Sequence, residues 1–238
     1  MALAELHKAG KPFPKENEMK KVLVSILFLA TVLSLNHPAA GQTGSNSLND
    51  QLIAAALDGD TATVQQSLDK GANIEARDMF NFTALIKAAV TGNTDTVKLL
   101  LARGANIEAK GFDDYTALMS AAGAGNTEIV KLLLDKGANI EARDKAGWTA
   151  LIYAAGQSKP EVVMLLLVKG ANIETRTNNG KTALIMSAAM GETEVVRLLL
   201  EKGANIDAKD SNGETALNKA ENGKKSGTVK LLRESGAH

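Results

Sequence analysis

The apolar positions of this chain fall into short runs that return on a fixed beat. Val97-Lys98-Leu99-Leu100-Leu101 recurs in character at 130–134, 163–167 and 196–200, each time 33 residues later. Two other markers keep the same interval. Gly-Ala-Asn-Ile begins at Gly71, Gly104, Gly137, Gly170 and Gly203, and Thr-Ala-Leu begins at Thr83, Thr116, Thr149, Thr182 and Thr215. A period of this length predicts a solenoid, in which each unit buries its apolar face only against its neighbours.

Within one unit the pattern predicts two short antiparallel helices and a projecting turn. Thr116 is placed to cap a first helix over 117–123, whose small Ala121 and Ala122 let adjacent units approach closely. Asn126 or Thr127 opens a second helix over 128–136, and Gly137 ends it in the left-handed conformation. Ile129, Leu132 and Leu133 face the neighbouring units, at about 1.5–3 kcal/mol for each fully buried Leu. Pro160 stands at a helix start, where its missing N–H costs nothing. Asp50 is expected to cap a first helix over 51–58, followed by a more polar second helix over 61–70 that carries Gln65, Gln66 and Ser67 on a wet face. At the other end Lys219, Glu221, Asn222, Lys224 and Lys225 replace the Ala-rich pattern and predict a polar terminal cap.

The residues that carry this beat resemble the ankyrin repeat, whose pattern runs Asp-x-x-Gly-x-Thr-Pro-Leu-His, then Ala-Ala, Gly, Val-Val-x-Leu-Leu-Leu and Gly-Ala. Asp144-Lys145-Ala146-Gly147-Trp148-Thr149-Ala150-Leu151 carries it, as does Asp210-Ser211-Asn212-Gly213-Glu214-Thr215-Ala216-Leu217. The resemblance covers about residues 45–238 and implies an all-α ankyrin-repeat solenoid of helix-turn-helix units with projecting turns. Six repeats are expected, at about 45–77, 78–110, 111–143, 144–176, 177–209 and 210–238. Two departures stand out. Ala replaces the helix-opening Pro throughout, and Ile86, Met119, Ile152, Ile185 and Asn218 replace the His, so the bonds that this His usually makes between loops are expected to be missing.

Ahead of the repeats, Met19-Lys20-Lys21 precedes an apolar run over 22–35 and then Asn36-His37-Pro38-Ala39-Ala40-Gly41. A basic start, an apolar core and small residues predict a signal peptide over 19–41, cleaved after Ala40 or Gly41. The run is shorter than the roughly 20 residues a membrane span needs. Residues 1–18 are polar and unlike a signal, which points to translation starting at Met19 or to an unusually long basic region. Residues 42–47 read as a short lead-in. The expected location is the periplasm, with no membrane association after cleavage.

Charge and composition narrow the function. The chain holds 27 basic and 27 acidic residues; residues 42–238 hold 22 and 24, which is no basic footprint for nucleic acid. It has no cysteine and only three histidines, His7, His37 and His238, so no His-based catalytic pair and no His or Cys metal site is expected. Gly123-Ala124-Gly125 and Asn222-Gly223-Lys224-Lys225-Ser226 lack the context of a phosphate loop and read as turns. Neither a cofactor nor a catalytic residue is expected.

Two columns of charge run through the repeats: Glu75, Glu108, Glu141, Glu174 and Asp207, and two residues on Arg77, Lys110, Arg143, Arg176 and Lys209. They read either as a charged binding strip or as a solvated face. The aromatic residues cluster more narrowly. Phe80, Phe82, Phe112, Tyr115 and Trp148 fall in three successive turns, and Tyr153 falls on the first helix beside them. The resemblance implies that turns and first helices contact partners, so Met79, Phe80, Phe82, Phe112, Tyr115, Trp148 and Tyr153 are expected to form one protein-binding strip, extended by Met186 and Met190. A second reading holds that Phe82, Tyr115 and Trp148, which share one register position, cover the turn beneath them. The expected function is non-enzymatic binding of another protein by a chain that is monomeric when free. The partner is read as a periplasmic enzyme such as a cell-wall hydrolase, which the chain inhibits. The alternatives are a scaffold or accessory factor for a periplasmic oxidative-stress enzyme, or a secreted effector that binds a host protein.

Overall fold

The structure, a computed structural model, describes residues 47–238. Among them the chain is all-helical, with twelve α-helices in successive pairs: α1 (Leu48–Asp58) with α2 (Thr61–Asp69), α3 (Ala84–Thr91) with α4 (Thr94–Ala102), α5 (Ala117–Ala124) with α6 (Thr127–Asp135), α7 (Ala150–Gly156) with α8 (Pro160–Val168), α9 (Ala183–Met190) with α10 (Thr193–Glu201), and α11 (Ala216–Asn222) with α12 (Ser226–Glu234). No helix among the described residues is long and apolar enough to cross a membrane. The expected leader over 19–41, its cleavage site and the segment 1–18 lie outside the described residues.

The first helices pack on one another more extensively than the second helices do. Alanine explains it. Ala88, Ala89, Ala121, Ala122, Ala154, Ala155 and Ala188 are wholly buried, and their small side chains allow close approach. The second helices supply the apolar filling, with Leu100, Leu133, Leu166, Leu199 and Leu232 fully buried and Leu132 only half-buried.

Most first helices are closed at their ends by residues that the 33-residue beat repeats. Thr83, Thr116, Thr182 and Thr215 accept a bond from the amide three residues on. Pro160 occupies the first turn of α8, as expected. The first helix of the chain differs from its expected form: Ser47, not Asp50, is the N-cap, and Asp50 returns a bond to the Ser47 amide, so the pair forms a capping box and the helix starts three residues earlier. In α2, Ser67 is buried rather than wet.

At the C-terminal ends of the first helices, Gly59, Gly92, Gly125 and Gly191 are left-handed, with φ between +77° and +88°. Glycine is needed there twice over. A Cβ at Gly59 would lie 2.6 Å from Asn93 Oδ1, because the Asn93 side chain folds over the end of α1 and donates to Ala56 O and Leu57 O. Asn126 does the same for Ala89 O and Val90 O at the end of α3. Thus Asn93 and Asn126, which precede α4 and α6, satisfy exposed carbonyls of the helix pair before them.

At the equivalent place in the fourth pair stands Ser158, held at φ +54°. A left-handed non-glycine residue costs roughly 1–2 kcal/mol. Ser158→Gly should therefore raise the unfolding free energy by about 1 kcal/mol in urea titration, whereas Gly59→Ala, strained and in collision with Asn93, should lower it by at least as much.

Candidate protein-binding surface

Five projecting turns, at 78–82, 111–115, 144–148, 177–181 and 210–214, precede the first helices of the later pairs, and in each the first residue's N–H bonds to the fifth residue's carbonyl. An aspartate at the first position braces the turn from inside. Asp78 Oδ1 accepts from the amides of Phe80 and Phe82, Asp144 Oδ1 from Ala146 and Trp148, and Asp210 Oδ1 from Asn212 and Glu214.

The first helix supplies a matching partner wherever that aspartate is present. Lys87 Nζ lies 2.7 Å from Asp78 Oδ2, Tyr153 donates its hydroxyl to Asp144 Oδ2 at 2.5 Å, and Lys219 Nζ lies 2.9 Å from Asp210 Oδ2. Where the turn begins with Gly111 or Thr177, the same helix position holds Ser120 or Met186 instead. Burial raises the Asp210 carboxyl pKa, but Lys219 and the amides of Glu214 and Asn212 outweigh it and hold the group below its ordinary value.

These pairs explain why the expected aromatic strip divides. Phe82, Trp148 and Met186 are only 5%, 3% and 2% exposed, so they belong to the core and offer a partner no free surface. The rings pack in series, the first two contacts edge to face and the third tilted at 45°. Phe82 meets Tyr115 at 6.4 Å between centroids, Tyr115 meets Tyr153 at 5.0 Å, Trp148 meets Tyr153 at 5.0 Å, and Lys87 Nζ sits 5.1 Å over the Phe82 ring. Covering the turn beneath them is therefore what Phe82 and Trp148 do. Tyr115 and Tyr153 are half-buried within the same series, and Met190 is half-buried at the end of α9. Burial, and then the Asp144 charge, pushes the Tyr115 hydroxyl well above its ordinary 10.0; burial followed by Tyr115 and Asp144 does the same for Tyr153.

Met79, Phe80 and Phe112 remain open, at 86%, 36% and 43% exposure, on the tips of the 78–82 and 111–115 turns. The 111–115 turn has its own shape. Without an aspartate at its head it winds as a short 3-10 segment, with Asp113 and Asp114 both left-handed, and Gly111 leaves room for the Phe82 ring, which a Cβ there would strike at 2.4 Å.

The charged columns lie at the surface, in keeping with the solvated-face reading, and they also make bonds between repeats. Glu75, Glu108, Glu141 and Glu174 each accept the backbone amide of the asparagine 31 residues on, at Asn106, Asn139, Asn172 and Asn205. Arg77, Arg143 and Arg176 reach forward to the carbonyls of Lys110, Arg176 and Lys209. The columns bind the helix pairs to each other. Sequence reading missed this role because a bond between residues 31 or 33 apart leaves no local signal, although the recurrence of Glu with Asn at that offset is visible once the offset is known.

Among the described residues no cluster of His, Asp or Glu could hold a metal ion. A family model described as ankyrin repeats (three copies) matches residues 52–144, 107–177, 141–210 and 158–238. No curated protein matches the chain.

Trp148→Ala should cost about 3–5 kcal/mol in stability, while Phe80→Ala and Phe112→Ala should each change it by less than about 0.5 kcal/mol; chemical denaturation of the three variants measures the division between core and surface. Because both tyrosine pKa values are raised on folding, their contribution is complete below pH 10 and declines as pH climbs above it. In an alkaline titration, Tyr115 and Tyr153 should yield no phenolate absorbance until the fold opens.

Proposed function

The chain belongs to the ankyrin-repeat family, and from that premise we propose that it is exported to the periplasm, where it binds and inhibits an enzyme, a cell-wall hydrolase being the target that best fits self-protection. Ankyrin repeats are protein-binding modules and generally non-enzymatic. The observation that carries the reading is the confinement of Met79, Phe80 and Phe112 to two adjacent turn tips, while the other aromatic residues of the repeats are drawn into the packing. Exposed rings of this kind form the energetic centre of many interfaces, where a few commonly contribute 2 kcal/mol or more each. Export is supported by the basic, apolar and small-residue order of 19–41.

The test is enzymatic as well as physical. The protein, tagged after His238, should capture a hydrolase from periplasmic extract and slow the clearing of peptidoglycan suspensions by that extract. The Phe80→Ala/Phe112→Ala variant, folded to the same extent, should do neither. Capture of an enzyme whose activity stays level or rises would replace inhibition with a supporting role.

A further inference from the structure

Successive turns are laced together by main-chain bonds. Lys145 N–H donates to Asp113 O at 2.9 Å, Asn178 N–H to Ala146 O at 2.9 Å, and Ser211 N–H to Asn179 O at 3.0 Å. Each bond runs from the second residue of one turn to the third residue of the turn before it. By the same rule Phe112 N–H should reach Phe80 O, and that bond is absent from the main-chain bonds of the described residues.

The ladder is therefore open at one rung, and the cause is local. Gly111 has no side chain to brace its turn, whereas a carboxylate does so in the 78–82, 144–148 and 210–214 turns and the Thr177 hydroxyl, accepting from Lys181 N–H, does so in the 177–181 turn; the 111–115 turn coils through Asp113 and Asp114 at φ +54° and +66°. The Phe82 ring lies against the space that Gly111 leaves. Below the tips the two turns stay joined, since Arg77 Nη1 donates both to Asn81 O and to Lys110 O. Above that joint they are not joined, and there the exposed Met79, Phe80 and Phe112 are found.

We propose that this open rung is the seat of an extended segment of the partner protein, whose main chain takes the Phe112 N–H and the Phe80 C=O while its apolar side chains lie against Met79, Phe80 and Phe112. The proposal rests on the reading of these tips as the binding surface and adds the conformation of what binds. Main-chain groups left open on an ordered edge are matched by a chain whose own groups are open, which is how a strand is added to a sheet edge. A helix uses its N–H and C=O groups internally and has none to offer along its length.

The probe is a peptide chosen from a random phage-displayed dodecapeptide library by binding to the protein, with competition by the Phe80→Ser/Phe112→Ser variant to direct selection to the tips. Each interior amide of the peptide is then replaced in turn by an ester, which removes the N–H donor while nearly preserving shape. The expected result is an apolar sequence whose binding falls at least tenfold on the double-serine variant and about tenfold for one particular ester, and which slows hydrogen exchange at the Phe112 amide. A peptide that binds as a helix, tolerates every ester, or leaves Phe112 exchange unchanged overturns the proposal, as does a library with no binder at the tips. If affinity depends on Phe80 and Phe112 but on no ester, the tips remain a binding surface and the extended segment is wrong. If affinity ignores both rings, the binding surface is wrong as well.

Discussion

No helix pair in this chain can satisfy its own backbone. Each contains two helices of seven to eleven residues, and helices that short leave a large share of their N–H and C=O groups without an internal partner. The next pair provides the remedy. Asn93 and Asn126 close the carbonyl ends of α1 and α3, four glutamates accept amides from the pair that follows, and three arginines reach forward to carbonyls. Hydrophobic burial makes the pairs adhere, but these bonds set how far each is displaced from the last, because every one of them spans a nearly constant number of residues.

The same constraint explains the N-terminal end. The amide of Asn73, the first asparagine of the series, goes to the side chain of Asn49 on α1 rather than to a glutamate. The capping box of Ser47 and Asp50 closes the helix that carries Asn49. At the other end Arg233 pairs with Glu221, so charged side chains partner one another where the preceding pair presents Leu200 and Ala188. Such exposed pairs are individually weak. Their service is to keep the terminal face hydrated, which an apolar face could not be.

Sequence alone made the helices, their pairing and most of their caps legible, since these follow from the spacing of Thr, Ala, Leu and Gly within one repeat. The part that escaped it was the part that lies between repeats. Glu108 looks like a solvated charge until Asn139 is seen to need its carboxylate, and the choice between surface aromatic and turn cover, which the shared register position of Phe82 and Trp148 left open, is decided by the tyrosines of neighbouring elements around them. Exposure of a residue in a turn depends on what the adjacent turn contains. For that reason Phe80 and Phe82, two residues apart, end on opposite sides of the division between surface and core, and no property of either residue type would have separated them.

Variation among the turns then becomes informative in its own right. Asp78, Asp144 and Asp210 each have a partner on the following helix, in Lys87, Tyr153 and Lys219, and the helix position changes to Ser120 or Met186 where the turn has no carboxylate. Unpaired buried charge is strongly unfavourable, so brace and partner must be kept or lost together. At Thr177 the hydroxyl, accepting from Lys181 N–H, takes over the internal support and the rungs persist; at Gly111 no side chain does so, and the turn there has two left-handed aspartates and a missing rung. Backbone strain of that kind persists only where the surroundings enforce it, and here Phe82 on one side and the Asp113–Lys145 main-chain bond on the other enforce it. The turn that departs from its siblings is also the one whose apolar tip lies beside the exposed Met79 and Phe80, so the local loss of regularity and the candidate contact surface have a single origin in one substituted position.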